Sequence, residues 1–358
     1  MMFVVRPRAA LLAVALSAAL PALALSPPPA EVKYENKPVE IAYQEFTLPN
    51  GLRVIVHTDR KAPIVAVNLW YHVGSKNEQP GRTGFAHLFE HLMFQGSENH
   101  KDEYFAPFEL VGVTDQNGTT NQDRTNYFQN VPTTALDMAL WMESDRMGHL
   151  LGAIDQKSLD EQRGVVQNEK RQGENQPYGR RINARMFEAL YPAGHPYSWQ
   201  TIGSMADLDA ATLDDVKTWF KSWYGPNNAV LVLAGDIDLK TAREKVTRYF
   251  GDIPASATLA DMPTNIPKRT QDTRETIPDR VPQYRVYRAW PVAELGSKDA
   301  ILLDLFGQVL GGSAASRFDT RLVHGDKIAD NASAYNWSSE ISGTFFLTAT
   351  VKDGVDAA

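Results

Sequence analysis

The chain has no cysteine in its 358 residues. That excludes disulfides, thiolate metal sites and a lipid-modified cysteine, so any bound metal must be held by histidine and carboxylate. Positive charge is also short: 36 Lys and Arg stand against 43 Asp and Glu, for a net charge of −7. With no basic patch, nucleic acid is excluded as a partner. Histidine is scarce, eight in all, which makes two of them four residues apart worth explaining.

What is present begins with "MMFVVRPRAALLAVALSAALPALALSPPPAEV". Arg6 and Arg8 precede an apolar Ala/Leu/Val stretch that closes on Ala22-Leu23-Ala24, the layout of a secretory signal cut near Ala24. As a membrane span the stretch is short, and Pro21 and the prolines beyond give it a poor far edge. Export without cysteine fits the periplasm of a Gram-negative-type bacterium. Residues 25–43 then read as a Pro-rich, disordered leader.

The remainder is 43% hydrophobic and 22% charged overall, the composition of a soluble globular chain long enough for two domains. In "YQEFTLPNGLRVIVHTD", Asn50-Gly51 between two β-rich runs signals a hairpin, and "IVAVNLWYHVGS" supplies a third strand. A helix over about 84–94 follows and ends at Gly96. "TDQNGTTNQDRTNYFQNV" offers an Asn117-Gly118 pair beside an alternating Thr125/Tyr127 strand. Helical spacing marks "TTALDMALWMESDRMGHL", "DEQRGVVQNEKRQG" and "RRINARMFEALY". The run from Thr212 to Pro254 reads helix, turn, strand, helix, with a Thr212/Asp215 cap on the first helix and Asp236 or Asp238 on the last. Hairpin strands beside segregated helices give an α+β fold, an antiparallel-rich sheet with helices packed on one face.

Residues 254–280 lose periodicity and gain Pro, Thr and charge, as a domain linker does. Beyond it the chain starts again. "AILLDLFGQVLGGS" (300–313) lies on "GFAHLFEHLMFQGS" (84–97) without a gap, placing Leu303 opposite His87, Phe306 opposite Glu90 and Gly307 opposite His91. The second copy, from 281, has lost the two His and the Glu that make the first unusual and so binds no metal. If the copies match in length, the second is truncated by about 110 residues, leaving a strand edge and an apolar face uncovered.

The chemistry sits in "GRTGFAHLFEHLMFQGSENH" (81–100). On a helix His87, Glu90 and His91 project within an arc of about 100°, so a metal there takes both imidazoles while the carboxylate is free to act on water. This is H-x-x-E-H, the inverted form of the H-E-x-x-H zinc motif. A core helix is the competing explanation, but burying two imidazoles and a carboxylate together without a cation costs several kcal/mol. A catalytic zinc needs a third protein ligand, and spacing leaves Asp155, Asp160, Glu161, Glu169 and Glu174 open, with Glu169 favoured by its place on a helix one turn from Val165.

His87-x-x-Glu90-His91, the downstream carboxylate helix, "HPYSWQTIG" and "YGPNNAVLVLAGDID" together resemble the M16 (pitrilysin-type, inverzincin) metallopeptidases over roughly residues 44–358. The resemblance implies His87, His91 and Glu169 as ligands of one zinc per chain, Glu90 as general base, and two homologous domains: a catalytic one over 44–253 and a degenerate one after the linker. It also implies extended peptide substrates, held along a strand near Asn117, and a second M16-type subunit or homodimer as partner. Two positions depart from the pattern. Gln162, with Glu161 beside it, stands where a supporting Glu is usual, and Asn117-Gly118 replaces Asn-Ala. The readings set against a peptidase are a non-catalytic subunit of an M16-type complex and a metal-storage protein; a carboxylate placed as base rather than ligand opposes the second.

Overall fold

The computed structural model describes residues 40–257 and 260–356; the expected signal and nearly all of the leader lie outside them. In chain order the elements are β1 (Gln44–Thr47), β2 (Arg53–Thr58), β3 (Ile64–Tyr71), α1 (Phe85–Leu92), α2 (Ala106–Leu110), β4 (Thr114–Thr120), β5 (Thr125–Pro132), α3 (Leu136–His149), α4 (Gln156–Asn175) and α5 (Arg180–Leu190). They continue with α6 (Met205–Ala210), α7 (Leu213–Trp223), β6 (Ala229–Gly235), α8 (Leu239–Phe250), β7 (Arg285–Val292), α9 (Lys298–Gly311), β8 (Ala329–Trp337) and β9 (Gly343–Val351). No helix among the described residues is long and apolar enough to cross a membrane.

The first sheet has six strands in the order β1-β2-β6-β3-β5-β4, antiparallel except for β2 beside β6. Strand β3 shows why it folds this way. Val65, Val67, Leu69 and Tyr71 are fully buried under helices, while Ile64 and Trp70 stay exposed on the other face, the alternation of a sheet covered on one side. Each buried side chain of this kind contributes about 2 kcal/mol. At the β1–β2 turn Gly51 has φ of 92°, and Asn50 Nδ2 donates to the carbonyls of Phe250 and Ile253 at 2.7 and 3.0 Å. The hairpin is thereby tied to the end of α8. The caps fall on Thr212, whose side chain and that of Asp215 close a reciprocal box, and on Asp238 rather than Asp236.

Asn117-Gly118, a pair that elsewhere marks a turn, lies inside β4; the chain turns at 121–124 instead. Glycine is there for space. A Cβ at position 118 would stand 2.7 Å from the Phe94 ring and 3.0 Å from Tyr127.

Among the described residues between α8 and β7 there is no helix or strand, and the chain then forms a second sheet ordered β7-β9-β8. Its connectivity repeats the first: strand, helix, strand, strand, with the third strand paired between the other two, as β3-β5-β4 encloses β5. Both β4 and β8 carry a register shift, between Thr114 and Asn117 and between Ala329 and Asn331. Gly307, opposite His91 in this correspondence, is buried where a Cβ would meet the Tyr335 backbone at 3.2 Å. At this position α9 packs closely on β8. On its other side α9 leaves Leu302, Leu305, Phe306 and Val309 exposed.

Charged groups clasp the two sheets together. Lys76, 3% exposed, lies between Asp123 of the β4–β5 turn and Glu340 of the β8–β9 turn. His72 Nε2 meets Glu340 Oε1 at 2.7 Å, and Asp123 also accepts the Glu340 N–H at 3.0 Å. The two partners hold the Glu340 carboxyl down at about 2, His72 first and then Lys76.

Candidate metal centre

Helix α1 starts at Gly84, whose φ of 88° no branched residue tolerates. It has no side-chain cap of its own. Glu78 does that work from six residues away, accepting the N–H of Gly84 at 3.1 Å and of Ala86 at 2.8 Å, a carboxylate at the positive end of the helix. Burial nevertheless pushes Glu78 up to about 8 against those hydrogen bonds. Trp199 Nε1 donates to the same carboxylate at 3.1 Å, and Gly203 approaches Gly84 so closely that a Cβ there would lie 2.4 Å from its Cα. The "HPYSWQTIG" segment is thus a brace: Trp199 holds the cap, Tyr197 donates to Asp123, and Gln200 Nε2 donates to the Arg180 carbonyl at 2.8 Å.

With Leu88, Phe89 and Leu92 committed to the core, α1 turns His87 and His91 toward α4. Their rings lie edge to face, centroids 4.9 Å apart. Glu169 Oε2 meets His87 Nε2 at 3.5 Å and His91 Nε2 at 3.7 Å, and ligand atoms from all three lie within 4.8 Å of one another. These contacts are too long for good hydrogen bonds. Burial, then the neighbouring imidazole, lowers His87 to about 4, so its ring is neutral. His91 foremost, with His87 and Arg180, holds Glu169 at about 2 despite partial burial. His87 Nδ1 is buried without a hydrogen-bond partner among the described residues. Two imidazoles, that of His87 held neutral, facing an ionised carboxylate are the donor set zinc takes, and the residues fit it.

Glu90, 8% exposed, stands beside this cluster and accepts a hydrogen bond from Thr120 Oγ1 of β4. Burial raises its pKa, the Thr120 bond opposing. Of the other carboxylates that spacing left open, Asp155 caps α4 through the Ser158 N–H at 2.8 Å, Asp160 pairs with Arg163, Glu161 pairs with Lys157 and Glu174 pairs with Lys170 at 2.8 Å. Glu161 is exposed and turned to Lys157, while Gln162 is half-buried on α4. Asn117 is exposed on β4, its Oδ1 accepting the Gly118 N–H at 2.9 Å. Sequence reasoning missed Glu78, Thr120 and Arg180. The last donates to Glu169 Oε1 at 2.5 Å.

Comparison with known proteins places the chain in a family. The family model described as "Insulinase (Peptidase family M16)" matches residues 53–195, and "Peptidase M16 inactive domain" matches 210–358. The second match begins ahead of β6, which nevertheless sits in the middle of the first sheet. Zinc protease PqqE of Helicobacter pylori is 29% identical over 321 residues, 88% of this chain and 71% of that protein. The probable zinc protease PqqL of Escherichia coli is 29% identical over 220 residues, 58% of this chain and 23% of PqqL. Among solved structures, a protease from Helicobacter pylori superposes with a TM-score of 0.81 at 28% identity, covering 89% of this chain and 77% of the other. Two matched models of one family, an α+β fold shared with its members and relatives named zinc proteases assign the chain: it belongs to the M16, or insulinase, family of peptidases.

Proposed function

We propose that the chain is a zinc-dependent endopeptidase acting on extended or unfolded peptides, with His87, His91 and Glu169 as ligands of one zinc and Glu90 as general base. The observation that carries this reading is the convergence of three ligand atoms from α1 and α4 within 4.8 Å, with a buried carboxylate beside them that forms no ion pair among the described residues. When bound, zinc supplies Lewis acidity, which acidifies water and polarises a peptide carbonyl. Glu90 takes a proton from the attacking water and passes it to the departing amine. Its burial favours this, since a carboxylate of raised pKa is a better proton acceptor near neutrality. Thr120 fixes one oxygen and leaves the other to face the substrate.

Strand β4 lies at the edge of the six-stranded sheet and packs against α1. An extended peptide adding to that edge forms backbone hydrogen bonds and runs past Glu90, with Asn117 placed to contact it. The N-terminal residues and the periplasmic PqqL relative support a periplasmic location. Hydrolysis of an unstructured peptide should be abolished by a chelator and restored by zinc. Hydrolysis indifferent to chelation, or none in the zinc-loaded chain, would remove this reading.

A further inference from the structure

Helix α4 carries an unusual pairing one turn beyond Glu169. Gly173 is buried in the last turn of α4, which runs on to Asn175; alanine would favour the helix there, so the glycine needs a reason. The reason is Arg180: a Cβ at position 173 would lie 2.6 Å from both Cδ and Nε of that side chain. The arginine lies across the bare glycine, and its Nη2 reaches Glu169 Oε1 at 2.5 Å. The other oxygen, Oε2, faces both imidazoles. The arginine backbone is itself fixed by Gln200, in the segment that also braces the start of α1 through Trp199.

We propose that Gly173 and Arg180 form a positioning device that occupies Oε1 of Glu169, so that the carboxylate presents a single oxygen to the metal. The inference rests on Glu169 being a ligand. An unrestrained carboxylate can swing and offer both oxygens, which changes coordination number and crowds the position a substrate needs. Partners of this kind around metal ligands orient the ligand they touch. Arg180 suits the task because its rigid fork directs the hydrogen bond while the stem lies in the glycine groove.

The test replaces zinc with cobalt(II) in the full chain and reads the visible absorption, strong for a four-coordinate ion and weaker for five or six ligands. Wild type should give the strong band. Arg180→Met should weaken it, as Oε1 becomes free to join, and should lower zinc affinity about tenfold in competition with a chelator. Gly173→Ala is the second variant. Alanine is the better helix former, so a purely structural glycine would be replaced with no loss of the band; a Cβ that displaces Arg180 should reproduce the Arg180→Met spectrum in a chain that unfolds no earlier. Unchanged bands in both variants would overturn the proposal while leaving Glu169 as ligand. No cobalt bound by wild type, or the same band after Glu169→Gln, would instead overturn the ligand assignment beneath it.

Discussion

The Thr120 hydroxyl donates to Glu90 Oε2, joining a strand at the sheet edge to the carboxylate between the two histidines. The bond fixes the carboxylate's orientation and offsets part of its burial. Hydrogen bonds to charged groups are worth about 1.5–3 kcal/mol. Thr120→Val, which keeps the shape and removes the donor, should therefore lower kcat about tenfold or more with zinc content unchanged, and Thr120→Ser should restore most of it. Equal kcat for Thr120→Val and wild type would remove Thr120 from the account.

A second prediction separates the carboxylates of α4. Glu169→Gln should weaken zinc binding strongly, because an amide oxygen is a poor ligand for the cation. Glu174→Gln should change it little, since Glu174 is spent on a partly buried i,i+4 helix pair with Lys170, a type worth about 0.3–0.5 kcal/mol. Zinc affinity of the two variants decides it, and equal losses would contradict the assignment.

These contrasts show what the sequence could reveal. His87, Glu90 and His91 were legible because their relation is local: four residues of helix fix their common face. Spacing alone did not single out Glu169, since five carboxylates fell within a plausible span; the family resemblance pointed to it, and the packing of α4 on α1 brings it to the two histidines. The other four cap the helix or pair with neighbours. Thr120, Glu78 and Arg180 left no local signal, because each acts on a residue it meets only after folding. Gly118 shows the reverse difficulty, a pair with turn chemistry held inside a strand by the Phe94 ring. The repeat was visible in one helix, and the strand order of the second sheet extends it.

The clasp between the two sheets gives a pH prediction. Glu340 is held at about 2 by His72 and Lys76, below its ordinary value of 4.5. A carboxyl with a lowered folded pKa contributes stability that is present above the unfolded value and is lost as pH falls through the folded one. Glu340→Gln should therefore destabilise the chain at pH 7 in urea unfolding, and the gap from wild type should shrink between about pH 4.5 and pH 2. A gap that is constant across that window would show that the carboxylate's charge is not what clasps the sheets.

The central claim is that one group binds metal and its neighbour only moves a proton. It is tested most directly by measuring zinc content and hydrolysis of an unstructured peptide on the same preparations of wild type, His87→Ala and Glu90→Gln. His87→Ala should lose both the zinc and the activity. Glu90→Gln should keep about one zinc per chain while turnover falls at least about a hundredfold, the scale of a lost general base. Near-normal turnover in Glu90→Gln, or full zinc in His87→Ala, would contradict the account.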